Sequence, residues 1–489
     1  MSYADNATSG MLWLAFGSVV AKASSFLSLI VLGWYLSKEE FALYALAYSS
    51  SVFFIAIRNG GVNQIILQRG VNGFDKAANI YMRYALLINL LVMVLILLFS
   101  PVVSAVYNTD EMYALLIIIA ISLPLGTAGL FYRSKLAVDL KFSDVAKFDS
   151  YSSIMRHGSA ALFAVLGFGV FSFLLPLIVV AIFELIYGKY KTDVSLFTER
   201  RLTKYFFKKI FNSTRWLILS TVAISIASQG DYLVIGMFKS MEIVGLYFFG
   251  FQFTVAFTVV IARGMQAVIM PLMSNIRHDK KRMGDAFSKM LVVLVLCVTV
   301  ISFLMSIVSG FFVHYIWNGK WDDAIPVIQI MSLSLVTSVL VPLGKSMLEA
   351  IGQWRTVSYM MVIDAVGILI AAFVGAHLGD LIIIAVTVGI YRFVYAFLFT
   401  LYVVSRFDMN IYPVIKLIFY SIIAAVIPLC ILIYLNNMQV VQYDWLLMLF
   451  YLSFFSVVFT MLSYIMQPKN SKVVFDFTRN FIIKKSSLI

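Results

Sequence analysis

Apolar residues in this chain run for about 20 positions at a time, broken by short polar stretches rather than alternating with them. A helix needs roughly 20 such residues to cross the hydrocarbon core of a bilayer. The pattern predicts about fourteen spanning helices, near 11–36, 40–59, 79–100, 112–132, 148–168, 170–188, 215–238, 242–263, 287–310, 324–348, 356–378, 380–404, 411–434 and 445–466. The connections are too short to hold a soluble domain. The longest, 189–214, carries Arg200, Arg201, Lys204, Lys208 and Lys209, and Leu202, Phe206 and Ile210 recur in it every four residues. That spacing predicts a short helix lying on the membrane surface.

Composition agrees. Of 489 residues, 62% are hydrophobic and 12% charged, against roughly 45–50% and about 25% in a soluble domain. This excludes a secreted, disordered or nucleic-acid-binding protein, and the net charge of +13 is read first as topology. Residues 1–10 hold no Lys or Arg and Lys22 interrupts the first apolar run, so that run is a retained span rather than a signal peptide. Cys297 and Cys430 lie inside apolar runs, and His157, His278, His314 and His377 are scattered, so no metal site or disulfide framework is expected.

Positive charge orients the bundle. Loops after even-numbered spans hold Arg69, Lys76, Arg133, Lys135, Lys141, the basic linker, Arg277, Lys280, Lys281, Arg282, Arg355 and Arg406, then the tail with Lys469 and Lys472. Loops after odd-numbered spans hold Lys38, Lys239 and Lys320 among Glu39, Asp110, Glu111, Glu242, Asp322, Asp323, Asp380 and Asp444. By the positive-inside rule both termini are cytoplasmic. The tail residues Val474, Phe477 and Phe481, with Lys484 and Lys485, read as an interfacial helix drawn to anionic lipid.

The chain also repeats itself. A shift of 203 positions lays Gly33, Ser37, Glu39, Leu43 and Tyr44 on Gly236, Ser240, Glu242, Leu246 and Tyr247, and Gly61 and Ile66 on Gly264 and Ile269. Six spans in each half make this a parallel repeat, the duplication from which rocking transporters are built. The expected organisation is an all-α integral membrane protein: a six-helix lobe (1–188), the basic linker (189–214), a second six-helix lobe (215–404), two extra helices (405–466) and a basic tail (467–489).

The segment Leu36–Arg69, with Gly61, Gln64, Gln68 and Arg69, resembles the polysaccharide transporter family of Wzx-type lipid-linked oligosaccharide flippases. Asp231–Gly236, Gly245-Leu-Tyr247, Pro271–Ser274 and Gly319-Lys-Trp321 resemble its second half, while Arg58-Asn59 departs from the usual acidic residue. The resemblance implies two six-helix lobes in a V around a central cavity, working by alternating access. It implies a glycan on a polyprenyl diphosphate as substrate, carried from the cytoplasmic to the periplasmic leaflet of a bacterial inner membrane. A polysaccharide polymerase and chain-length proteins are the protein partners it suggests.

Five charges sit deep in predicted spans: Lys22, Arg156, Asp231, Asp364 and Arg392. An ionised group there costs several kcal/mol unless paired or hydrated (about 2.5–3.5 kcal/mol on insertion scales). In one reading Lys22, Arg156 and Arg392 line a wet cavity and bind a diphosphate, which arginine's planar fork suits. In the other, Asp231 and Asp364 neutralise them in structural pairs or couple transport to an ion. Glu184, Arg58, Arg83, Lys345 and Glu349 are shallower and can snorkel, with Lys345 and Glu349 spaced to pair on one helix face. Tyr35, Tyr44, Tyr48, Tyr247 and Tyr402 stand near span ends; most are expected as interfacial belt residues, and a few on a cavity wall could stack on sugar rings.

The chain carries no phosphate-binding Gly-rich loop, so an ion gradient or the membrane potential, and no cofactor, is the expected source of drive. A multidrug exporter of the same fold is the alternative function. A membrane-embedded polymerase or glycosyltransferase fits less well, because no outer loop is long or carries a carboxylate pair beside a His.

Overall fold

The computed structural model describes residues 3–59, 71–192, 204–255, 273, 276, 278–437 and 445–476. Helices α1 (Tyr3–Tyr35), α2 (Lys38–Asn59), α3 (Val71–Tyr107), α4 (Glu111–Leu125), α5 (Thr127–Val138), α6 (Phe142–Val165), α7 (Leu175–Lys191) and α8 (Lys204–Phe238) make up the first half. The second holds α9 (Met241–Val255), α10 (Lys280–Trp317), α11 (Ile325–Ser338), α12 (Leu340–Ala350), α13 (Trp354–Leu378), α14 (Leu381–Arg406), α15 (Tyr412–Asn437) and α16 (Trp445–Met466). No strand occurs among the described residues.

The described part of every predicted span is helical, but not every one reads as a full crossing. Among the described residues eleven helices are long and apolar enough, or twelve if α4 and α5 are one bent span. The pair bends by 41° just after Pro124, where the missing amide and the ring's clash with the preceding turn weaken the helix. Helix α6 falls short because Asp144, Lys147, Asp149, Arg156 and His157 interrupt its apolar face. Helix α9 is described only as far as Val255.

The linker also departs from expectation. Its backbone from Lys204 onward belongs to the long helix α8 rather than to a separate surface helix, while Arg200, Arg201 and Leu202 lie outside the described residues. In the tail, residues 468–476 are helical; Phe477, Phe481, Lys484 and Lys485 lie outside the description, as do Gly61, Gln64, Gln68, Arg69, Gly264 and Ile269.

By packing, the chain divides into two compact units, Met1–Phe248 with Trp354–His377 and Phe249–Gln353 with Leu378–Ile489. Within them, corresponding spans pair alike. Helix α1 packs on α6, where Ser153 Oγ donates to the Ala21 carbonyl at 3.2 Å. Helices α8 and α13, the first and fifth spans of the other half, meet where Ser358 Oγ donates to the Trp216 carbonyl at 2.7 Å. Likewise α3 packs on α4 as α10 does on α11, and α4 and α5 pack on α7 as α11 and α12 do on α14.

The turns after the first span of each half lie side by side. Ser37 and Glu40 cap α2 reciprocally: Ser37 N donates to Glu40 Oε2 at 2.7 Å and Glu40 N to Ser37 Oγ at 3.2 Å. Lys38 Nζ then meets Glu242 Oε1 at 2.8 Å, and Gly245 packs so tightly on this turn that a Cβ there would collide with the Lys38 carbonyl oxygen. An inverted repeat would put these two turns at opposite faces of a bilayer; a parallel one puts them together. Elsewhere, Lys345 Nζ and Glu349 Oε1 pair at 3.5 Å across one turn of α12, as their spacing predicts.

Candidate functional site

Helix α6 supplies the polar core of the first unit. At its first turns Asp149 is clamped by Arg133 through two parallel bonds, Nε–Oδ1 and Nη2–Oδ2, each 2.6 Å. That bidentate geometry is the strongest form of the pair. Seven residues further on stands Arg156, half-buried, with His157 beside it.

Arg156 lies within hydrogen-bonding reach of the Tyr44 hydroxyl on α2. Lys22 on α1 and Arg156 both act electrostatically on His157. Three helices thus bring Lys22, Arg156, His157 and Tyr44 together, and among the described residues no carboxylate is bonded to Arg156. Tyr44 is held in turn by aromatic neighbours. Its ring stacks on Phe173 at 4.2 Å and 9°, lies 5.8 Å from Tyr48, and meets the edge of Phe248 at 5.6 Å. The ring cannot swing without unpacking these contacts, so its hydroxyl fixes where the guanidinium points.

Asp231 is engaged elsewhere. It is fully buried on α8, accepts the Tyr247 hydroxyl at 3.0 Å on Oδ2 and meets the Tyr232 amide at 3.2 Å on Oδ1. Asp364 sits half-buried on α13 in the same unit. Arg392, on α14 in the second unit, lays its guanidinium 4.8 Å above the Phe251 ring, a cation–π contact. The structure therefore gathers Lys22 and Arg156 into one cluster and gives Arg392 and Asp231 separate surroundings.

Tyr44 and Tyr247 are exceptions to the interfacial belt expected of most of these tyrosines. Tyr247 is completely buried and Tyr44 half-buried, both bonding to ionisable groups, whereas Tyr35 is 57% exposed, as a belt residue should be. Their equivalence under the 203-residue shift was the available signal, because a lipid-facing tyrosine has no reason to recur in register. Phe173 carried none: it lies in a short 3-10 turn (Gly169–Phe173) whose place in the fold is set by tertiary packing.

Residues 31–326 match the protein family described as "Polysaccharide biosynthesis protein". The chain is 21% identical to the teichuronic acid biosynthesis protein TuaB of Bacillus subtilis (strain 168), over 71% of either chain. It is 23% identical to the succinoglycan biosynthesis transport protein ExoT of Rhizobium meliloti (strain 1021), over 78% of this chain and 76% of that one. With the lipopolysaccharide biosynthesis protein WzxC of Escherichia coli (strain K12) the identity is 20%, over 78% and 79%. Among solved structures, the inward closed lipid II flippase MurJ superposes on 96% of this chain and 100% of its own, with a TM-score of 0.72 at 15% identity. An inward-facing multidrug resistance MATE family transporter of the MOP superfamily follows at 0.64 and 16%, over 80% and 98%. These names denote transporters, flippases and biosynthesis proteins rather than enzymes, and the fold is the one the flippase and the multidrug exporter share. With more than half its length inside the family match, this multi-pass membrane chain belongs to the polysaccharide biosynthesis protein family.

Proposed function

We propose that the chain is a flippase that moves a glycan on a polyprenyl diphosphate from the cytoplasmic to the periplasmic leaflet of a bacterial inner membrane by alternating access, with both termini cytoplasmic. The observation that carries this reading is the meeting of Lys22 and Arg156 beside His157, with Arg156 held by a neutral tyrosine rather than a carboxylate. A diphosphate needs donors that replace its lost hydration, and a guanidinium with its fork directed by Tyr44 offers two parallel bonds to phosphate oxygens. Lys22, a compact point charge, complements it. The names of the relatives, which speak of teichuronic acid, succinoglycan and lipopolysaccharide, support a surface-polysaccharide substrate.

Drive in this reading comes from an ion gradient or from the membrane potential, worth about 2.3 kcal/mol per charge per 100 mV. Asp231 and Asp364 are the candidates for coupling to an ion. A polysaccharide polymerase and chain-length proteins are the proposed downstream partners.

A multidrug exporter is the second reading, favoured by the likeness to the MATE transporter and by the buried carboxylate of Asp231. An organic cation is served poorly by a cluster built on Lys22 and Arg156. Deleting the gene separates the two. A flippase leaves lipid-linked oligosaccharide on the cytoplasmic face with drug sensitivity unchanged; raised drug sensitivity with normal surface glycan would establish the exporter.

A further inference from the structure

In the second unit, α10, α16 and the tail helix 468–476 enclose a cleft of about 790 Å³. This lies within the roughly 300–1,000 Å³ of small-molecule sites. Its depth is apolar, with Leu296, Val300 and Phe459 facing Val474 and Phe475, and its mouth carries Lys469 and Lys472. Both lysines are exposed, and neither enters an ion pair among the described residues. Thr460, Ser463, Tyr464 and Ser471 add polar groups to its lining.

From this geometry we infer that the cleft is a binding site for a phospholipid with an anionic headgroup. The acyl chain lies against Leu296, Val300, Phe459 and Phe475, and the phosphate faces Lys469 and Lys472. The lysines stand at the end of α16 that the positive-charge bias assigns to the cytoplasm, where anionic lipid attracts basic segments. A zwitterionic lipid fits the apolar wall but cancels the attraction of the two cations. The tail helix is one wall of the cleft, so bound lipid pins it to α10 and α16. This inference does not rest on the flippase reading and needs only a bilayer around the chain.

Cys297 lines the cleft, while Cys430, on α15, is exposed and takes no part in it. Full-length protein in nanodiscs of phosphatidylcholine with graded phosphatidylglycerol can be treated with a membrane-permeant maleimide, reading both thiols by mass spectrometry. Phosphatidylglycerol should protect Cys297 and leave Cys430 unchanged. The variants K469A and K472A should each raise the phosphatidylglycerol needed for half-protection about 5-fold, from roughly one lysine's worth of surface attraction, and K469E/K472E should abolish it. Equal protection by phosphatidylcholine alone, or no response to the lysine variants, would overturn the inference. So would displacement of phosphatidylglycerol by equimolar polyprenyl diphosphate, which would assign the cleft to that lipid instead.

Discussion

Tyr247 donates its hydroxyl to Asp231 at 3.0 Å, and both side chains are fully buried. Its counterpart 203 residues earlier, Tyr44, is turned to the cation Arg156. The duplicated tyrosine has kept its place while the charge it serves has changed sign. A phenol suits both tasks, since its oxygen accepts from a guanidinium and its proton goes to a carboxylate. The two halves of the repeat have therefore kept the tyrosine and diverged at the charged group it meets.

Removing the Tyr247 hydroxyl leaves Asp231 buried with one donor fewer. Tyr247→Phe is expected to cost about 1–3 kcal/mol, the penalty for an unsatisfied buried group, seen as a lower unfolding temperature in detergent. Asp231→Asn in the same background should recover part of the loss. An unchanged melting temperature for Tyr247→Phe would mean that the bond contributes nothing to the fold.

Arg156 has no acid bonded to it among the described residues, so losing its charge strands no buried partner. Lys at 156 should keep part of the surface-glycan output, Gln little and Glu none, at equal membrane abundance. Tyr44→Phe should cut output several-fold while leaving abundance intact, because Phe keeps the stack on Phe173 and loses only the orienting oxygen. Wild-type output from Arg156→Gln would remove the residue from the site, and a fall in abundance would mark it as structural.

Topology is open to direct labelling. Single cysteines at Asp110, Lys239 and Asp323 should react with an impermeant thiol reagent from outside intact cells, and those at Lys141 and Lys281 only after permeabilisation. Cysteines at 38 and 242 should label from the same side, since these side chains touch. Opposite labelling of that pair would contradict the parallel repeat.

Gly245 is required by contact rather than by backbone angle. Gly245→Ala drives a methyl group into the Lys38 carbonyl oxygen, which belongs to backbone and cannot rotate away. Overpacking of this kind costs typically 1–3 kcal/mol, so the variant should accumulate less in the membrane and melt lower. Gly158→Ala on α6, where nothing lies within 4 Å, is the control and should behave as wild type.

Much of this protein is legible from residue order alone, because the bilayer acts on each helix separately. A span must be apolar for about 20 residues whatever its neighbours are, so the all-helical class, the place of most helices and the loop-charge alternation could be read one segment at a time. The repeat was equally accessible, since register survives in the glycines and tyrosines that close packing selects. Pairing was not. Nothing local to α6 announces that Arg133 neutralises Asp149 while Arg156 is left facing a tyrosine; that depends on which helices meet and at what depth. The same holds for Tyr247, whose place near a span end reads as interfacial until packing buries it against Asp231. Where a polar helix such as α6 can be kept was likewise decided by neighbouring helices, whereas the bend after Pro124 has a local cause. Hydropathy reports the cost of one segment in lipid, and the tertiary structure determines which polar groups escape that cost by facing one another.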